Sequence, residues 1–146
     1  MLKSLIQFST LFVLLTGVLN TEVFACRCQP KGSLNDQVSR HDVVFLGQVT
    51  EVRSAGGLRP GFKLVRFMPI KRYKGVDLLP NHESITIFTP EDPANCGINF
   101  SKRIDYIVFA KGPPAFLQTS SCSMTNIQEN MNLEQLELEK LIKKLN

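Results

Sequence analysis

The sequence has few of the residues that enzymes use for catalysis. It contains only two histidines, His41 and His82, and neither stands beside a serine or cysteine in a nucleophile motif. It has no glycine-rich phosphate loop, and no histidine pair has the spacing of a zinc-protease helix. One acidic pair, Glu91 and Asp92, stands between prolines in a loop, where carboxylates are usually solvated. These absences predict a chain that is not an enzyme and that binds no cofactor of its own.

The sequence also has no apolar run long enough to span a membrane. Its longest run, Leu5–Leu19, is shorter than the roughly 20 residues that a spanning helix needs and contains polar residues. Lys3 precedes this run, and Val23 and Ala25 hold the positions that signal peptidase reads before a cut. The layout predicts a secretory signal peptide over residues 1–25.

Cleavage of that signal peptide would make Cys26 the first residue of the mature chain. We therefore expect one domain over residues 26–146, secreted or otherwise extracytoplasmic. A bacterial lipoprotein box is an alternative, because Val23–Cys26 loosely resembles one and its cysteine would carry lipid and form no disulfide. Phe24 is bulky for that box, and the polar stretch Asn20–Glu22 separates the apolar run from the cut. The sequence therefore favours an unmodified Cys26.

The sequence lacks long runs of like charge. Its formal net charge is +4, and the lysines and arginines are scattered along the chain. Scattered cations are typical of a solvated surface, whereas a nucleic-acid interface usually needs a basic stripe. We expect no nucleic acid and no membrane span among the partners of this protein.

Cysteine is scarce as well. The chain has four, all of them after the predicted signal peptide: Cys26, Cys28, Cys96 and Cys122. Because exported thiols are oxidised, an even number predicts two disulfides. A bond between Cys26 and Cys28 would close a strained ring, so each of them pairs with Cys96 or Cys122, and two pairings stay open. A four-cysteine zinc site fits less well, since zinc motifs usually place about two to four residues between paired cysteines.

The apolar patterns predict a mainly β fold. Alternating and β-branched segments predict five strands, at residues 43–52, 62–68, 84–89, 105–110 and 115–122. The segment Ser33–Val38 begins with a capping residue and predicts a short helix before the first strand. Asn126 and Glu129 predict the start of a C-terminal helix at about residues 126–145. Five strands with flanking helices in one small domain predict a five-stranded OB-fold barrel.

Several motifs occur in the order and spacing of a known family. They are the mature start Cys-x-Cys, Asp42–Val44 after a short helix, Tyr73–Gly75 before the third strand, Thr89-Pro90 leading to Cys96-Gly97, Tyr106–Val108 in the fourth strand, and Thr119-x-x-Cys122. Together they resemble the N-terminal domain of the tissue inhibitors of metalloproteinases, a netrin-like OB-fold, in a divergent single-domain form. The resemblance covers nearly all of residues 26 to about 142. It implies the disulfides Cys26–Cys96 and Cys28–Cys122.

The resemblance also implies a function. In these inhibitors the α-amine and the carbonyl oxygen of the first cysteine chelate the catalytic zinc of the protease and displace its water. Carried over to this sequence, Cys26 would bind the zinc of a metalloprotease in trans, and Arg27 would enter the primed-side specificity pocket. The rest of the inhibitory ridge and a second contact segment would consist of Cys28, Gln29, Pro93, Ala94 and Asn95.

Two positions depart from the family pattern. A small or hydroxylated residue usually follows the first cysteine, whereas Arg27 is long and cationic. An acidic specificity pocket would therefore suit it better than an apolar one. The cysteine that ends the first helix in the family is replaced here by Ser39, so the third disulfide of the family is missing.

A binding function without protease inhibition is the alternative. In that case the disulfides of Cys26 and Cys28 would only stabilise the barrel, as in any netrin-like module. The module would recruit a protein or an acidic polysaccharide through dispersed cations, namely Arg27, Lys31, Arg53, Arg59, Arg66 and Lys71.

Overall fold

The computed structural model describes residues 26–81 and 83–145. The predicted signal peptide, residues 1–25, lies outside the described residues, as does His82. The two described α-helices are α1, Leu34–Arg40, and α2, Asn132–Leu145. Between them lie β1 (Val43–Ser54), β2 (Phe62–Lys74), β3 (Ile85–Pro90), β4 (Asp105–Ala110) and β5 (Asn126–Ile127). Neither helix is long and apolar enough to cross a membrane.

The five strands form one antiparallel sheet in the order β3-β2-β1-β4-β5. The predicted mainly β fold is therefore confirmed for the described residues. The ladder between β1 and β2 shifts register at three places, one of them between Leu46 and Gly47. Such shifts bend a strand and increase its twist. The long strands β1 and β2 curve for this reason.

The sheet is not closed into a barrel. Residues 115–122, predicted as the fifth strand, form no extended ladder. Within them only Gln118 makes bridges, antiparallel with Lys111 and parallel with Phe88. Backbone hydrogen bonds of 2.8 to 2.9 Å join Gln118 to Lys111 in both directions and join the neighbouring residues to both backbone groups of Phe88. This short segment thus connects β3 with the residue that follows β4.

Buried hydroxyl groups take the place of a longer ladder beside β4. The amide of Phe109 donates to Thr125 Oγ1 at 2.9 Å, and Thr119 Oγ1 donates to the Phe109 carbonyl at 2.8 Å. The Ser123 hydroxyl lies 3.0 Å from that of Thr119 and 2.8 Å from that of Thr125. Because side chains satisfy the buried backbone groups of Phe109, the chain follows β4 here without forming a strand.

Residues 43–49 of β1 and nearly all of β4 are buried on both faces of the sheet. On one face Phe45 and Val108 pack with Phe67 in a core that contains further aromatic rings. On the other face Val44 and Ile107 pack against both helices. Each large apolar side chain buried in this way stabilises the fold by about 1.5–3 kcal/mol. The two-sided burial explains why β4 is nearly all apolar.

The C-terminal α-helix begins later than the sequence predicts. Asn126 and Ile127 pair with Tyr106 and Ile107 of β4, and the Asn126 side-chain oxygen accepts from the Ile127 amide at 2.8 Å instead of capping a helix. A turn of 3-10 helix, Gln128–Met131, follows before α2. Strand pairing therefore overrides the local capping signal.

Gly75 provides a test of the turn after β2. Its φ is +70°, and a Cβ there would overlap the carbonyl oxygen of Asp42, just before β1. A left-handed backbone alone costs about 1–2 kcal/mol for alanine, so we expect Gly75→Ala to lower the free energy of unfolding by more than about 2 kcal/mol. Gly57→Ala is the control, because a Cβ at Gly57 meets nothing within 4 Å. Urea unfolding of both variants checks this, and equal stabilities would contradict the described turn.

Candidate functional site

Two disulfides tether the first described residues to the domain. They are Cys26–Cys96 and Cys28–Cys122, with 5.1 Å between the Cα atoms of each pair. These are the bonds that the resemblance implies. Residues 26–30 belong to no helix or strand, so the two bonds, one residue apart, are their main attachment to the fold.

A tight turn precedes Cys96, the disulfide partner of Cys26. Asp92 Oδ1 accepts a hydrogen bond from the Ala94 amide at 2.8 Å, and the Asp92 carbonyl accepts from the amides of Asn95 and Gly97 at 3.0 and 3.1 Å. Pro93 occupies the first turn of this 3-10 helix, Pro93–Asn95, and its fixed φ suits that position. The turn therefore holds Cys96 in place.

The predicted contact segments meet at the surface. Arg27, Cys28 and Gln29 are exposed, and Cys26 is half-buried. Residues 93–95 are also exposed, and the chain bond to Cys96 places them beside the Cys26–Cys96 disulfide. The Cys26–Cys96 bond therefore joins the two segments of the predicted site, Cys26–Gln29 and Pro93–Asn95, and we call these two segments together the ridge.

The four sulfur atoms themselves do not form a metal centre. They all lie within 4.8 Å of one another, a grouping that free thiolates would use to bind zinc. In the described residues every cysteine is in a disulfide, and a disulfide sulfur carries no thiolate charge. The sulfur cluster fixes the ridge, and the zinc chemistry expected of Cys26 uses its main-chain atoms.

A groove of about 670 Å³ lies beside the ridge and shares Arg27, Cys28 and Gln29 with it. Two more cations, Arg40 and Lys111, line the same groove, and no Asp or Glu is among the described residues that line it. Small-molecule sites in proteins have volumes of roughly 300–1,000 Å³. We call this feature the basic groove.

His41 forms part of the groove wall. Its Nδ1 atom lies 2.7 Å from the Gln37 carbonyl oxygen, so Nδ1 carries the proton and donates it. Burial lowers the pKa of His41, although the hydrogen bond to Gln37 opposes this effect. Burial thus favours the neutral imidazole, in which the Nε2 atom is a hydrogen-bond acceptor. The second histidine of the sequence analysis, His82, lies outside the described residues.

Ion pairs engage three of the dispersed cations on which the binding-module alternative depends. Arg53 and Arg66 both pair with Glu51, at 3.1 and 2.9 Å. Lys71 pairs with Glu139 of α2. These cations are partly neutralised by the protein itself, which reduces their attraction for an external anion.

A fourth cation, Arg59, is held by neighbouring side chains. Its guanidinium lies 4.6 Å from the ring centroid of Phe62 and 5.7 Å from that of Phe116. When the Gln118 side-chain amide is oriented with its oxygen toward Arg59, that oxygen accepts hydrogen bonds from Arg59 Nη1 and Nη2 at 3.2 and 2.9 Å. The remaining two cations, Arg27 and Lys31, are exposed and make no ion pair with the described residues.

The sequence analysis missed Arg40 and Lys111. The register of β1 on β4 brings them together, since Val43 lies opposite Ala110 and Asp42 Oδ2 accepts from the Gly112 amide at 2.8 Å. No local motif marks either residue. Arg40 and Lys111 can be recognised as neighbours only when the end of α1 is known to lie beside the end of β4.

No model of a known protein family matches the chain, and a search of curated proteins found no significant match. The likeness to the metalloproteinase inhibitors therefore rests on the sequence motifs alone.

Removal of one tether tests how the ridge is held. We expect the double variant Cys28→Ser/Cys122→Ser to lower the free energy of unfolding by about 2–5 kcal/mol, as is typical for loss of a native disulfide in a small domain. The Cys26–Cys96 bond should persist, and intact-mass analysis under non-reducing conditions checks it. Urea unfolding gives the stability. An unchanged midpoint would show that the Cys28–Cys122 bond does not support the domain.

Proposed function

We propose that this protein is a secreted inhibitor of zinc metalloproteases. The α-amine and carbonyl oxygen of Cys26 chelate the catalytic zinc of the protease in trans. Catalytic zinc has three protein ligands and one open position, which water occupies in the free enzyme. An amine and a carbonyl on one residue form a five-membered chelate ring with the metal, and that ring displaces the water.

The observation that carries the proposal is the ridge itself. A residue that enters a protease cleft must protrude and must hold its shape, because ordering a flexible segment on binding weakens the complex. Residues 27–29 are exposed, while the two disulfides flank Arg27 on either side. This combination of exposure and covalent restraint is what an inhibitory wedge needs.

The chemistry of the amine also supports the proposal. An α-amine ordinarily has a pKa of about 7.7–8.0, so a substantial neutral fraction exists close to neutral pH. Only that neutral form has a lone pair for zinc. The amine exists at Cys26 only after cleavage behind Ala25, which makes export and processing part of the mechanism.

We propose further that the sheet is a partly closed barrel of the netrin-like OB type. In an OB-fold the first strand pairs with the second and fourth, and a further strand joins the third to the end of the fourth. The contacts of Gln118 with Phe88 and Lys111 correspond to that last connection. The bridges are short because Thr119 and Thr125 bond the Phe109 backbone through their hydroxyl groups, and the Ser123 hydroxyl bonds to both of these hydroxyls.

Arg27 sets the target preference in this proposal. Its side chain is exposed and makes no ion pair with the described residues, so it is available to enter a pocket. A guanidinium buried in an apolar pocket would lose its hydration without compensation, whereas an acidic wall would pair with it. We therefore infer that the target has an acidic primed-side pocket.

One extra residue at the N-terminus tests the chelation. We expect protein that begins at Cys26 to inhibit a zinc endoprotease, and protein with one alanine added before Cys26 to lose at least about a hundredfold in potency, because the α-amine no longer belongs to the zinc-binding residue. One alanine added after Asn146 is the matched control. Inhibition constants are measured across a panel of zinc endoproteases with different pockets.

Thermal unfolding of the same three proteins shows whether the extension disturbs the fold. Equal potency of the extended protein would rule out chelation by Cys26. If the protein that begins at Cys26 inhibits no member of the panel, the proposed function is wrong.

Replacement of Arg27 tests the pocket preference. Against a protease with an acidic pocket, Arg27→Thr should weaken inhibition about tenfold or more, since a charge pair in the complex is lost. Against a protease with an apolar pocket the same variant should inhibit better than the wild type. Lys31→Thr removes an equal charge outside the ridge and should change neither inhibition constant by more than about twofold. The inference would be contradicted if Arg27→Thr inhibited the protease with the acidic pocket better, and the protease with the apolar pocket less well, than the wild type does.

A further inference from the structure

The basic groove collects cations from three separate parts of the chain. Arg27 belongs to the ridge, Arg40 is the last residue of α1, and Lys111 directly follows β4. The Cys28–Cys122 bond and the hydrogen bond between Asp42 and Gly112 hold these parts together. The arrangement is therefore fixed by the fold. Of the described residues that line the groove none is an Asp or Glu, and the Asp42 carboxylate accepts from the Gly112 amide of the groove wall.

The cations of the groove are not neutralised within the described residues. Arg27, Arg40 and Lys111 take part in none of the ion pairs that the structure describes. Asp36, on the same helix as Arg40, is bonded by the Ser33 hydroxyl at 2.8 Å and by the Ser33 amide at 3.0 Å. Those hydrogen bonds lower the pKa of Asp36 more than the charge of Arg40 does. A concave site with unpaired cations attracts anions, because its walls concentrate the field.

An extended peptide does not suit this groove. Peptides that add to a sheet need an unpaired strand edge, but the main chain of the adjacent segment is already bonded. The Gln118 amide and carbonyl both pair with Lys111, the Leu117 carbonyl accepts from Phe88, and the Thr119 amide donates to Phe88. Recognition in the groove must therefore come from side chains.

The uncharged part of the lining suits a sugar. It contains the side-chain amide of Gln29, the hydroxyl of Ser120 and the neutral imidazole of His41, which can exchange hydrogen bonds with sugar hydroxyls. The ring of Pro90 adds apolar surface on which the C–H face of a sugar ring can pack, whereas the Phe62 ring in the same wall is already contacted by Arg59. Guanidinium groups match the oxygen geometry of sulfate and carboxylate, and they often bind two oxygens at once.

From these observations we propose that the basic groove binds a short sulfated sugar through Arg27, Arg40 and Lys111. The site differs from the dispersed set of cations expected from sequence, of which it retains only Arg27. The proposal does not rest on protease inhibition. Because Arg27 belongs to both the groove and the ridge, a bound sugar and a bound protease would compete for it.

Titration of the purified protein with sucrose octasulfate tests the proposal. Calorimetry at about 150 mM salt should detect binding, and the double variant Arg40→Gln/Lys111→Gln should bind at least about tenfold more weakly, because two charge-assisted contacts are lost. Lys102→Gln/Lys140→Gln is the matched control, since it removes the same charge from two exposed residues that do not line the groove. The control should bind within about twofold of the wild type. Thermal unfolding of each variant verifies that it is folded.

A hexaglutamate peptide provides the competing ligand, and we expect it to bind at least about tenfold more weakly than the sulfated sugar. Three outcomes would overturn the proposal. They are no binding of sucrose octasulfate at this salt concentration, equal weakening in both double variants, and hexaglutamate that binds as tightly as the sugar. Failure of the N-terminal extension test leaves this experiment unaffected, so the two proposals are judged separately.

Discussion

The pairing of β1 with two neighbours at once is the constraint on which the rest of the described structure depends. β1 joins β2 on one side and β4 on the other, and its side chains enter a core on each face of the sheet. A slip of one residue would turn each apolar side chain to the opposite core. The register is therefore strongly specified. It places the connection between α1 and β1 beside the end of β4.

The two disulfide bonds are the second constraint on the described structure. Neither the cores nor the strand ladders reach residues 26–30, and the segment is held by disulfides to two loops, one after β3 and one before β5. The amide of Ser121 donates to the Cys96 carbonyl at 2.9 Å, so the two loops also support each other. The two disulfides thereby attach Cys26–Gln29, which belongs to no helix or strand, to the folded domain.

The sequence predicts those features that depend on local patterns. The short helix from Leu34 has its Ser33 cap, and the strand over Asp105–Ala110 has the predicted bounds. Prediction fails where distant residues decide the structure. Asn126 looks like a helix cap but pairs with β4. Residues 115–122 look like a strand, but within them only Gln118 forms bridges. The ridge was predictable because its cysteines are distinctive, whereas Arg40 and Lys111 become neighbours only through the sheet.

The long spacing of the disulfides affects the order in which the molecule is completed. The partners are 70 and 94 residues apart in the chain. During synthesis Cys26 and Cys28 emerge early, while Cys122 emerges only after all the strands of the central sheet except β5. Cys26 therefore cannot form its disulfide before Cys96 has been made, and Cys28 must wait longer, until Cys122 has been made. Until then each of the two early thiols can react with a wrong partner.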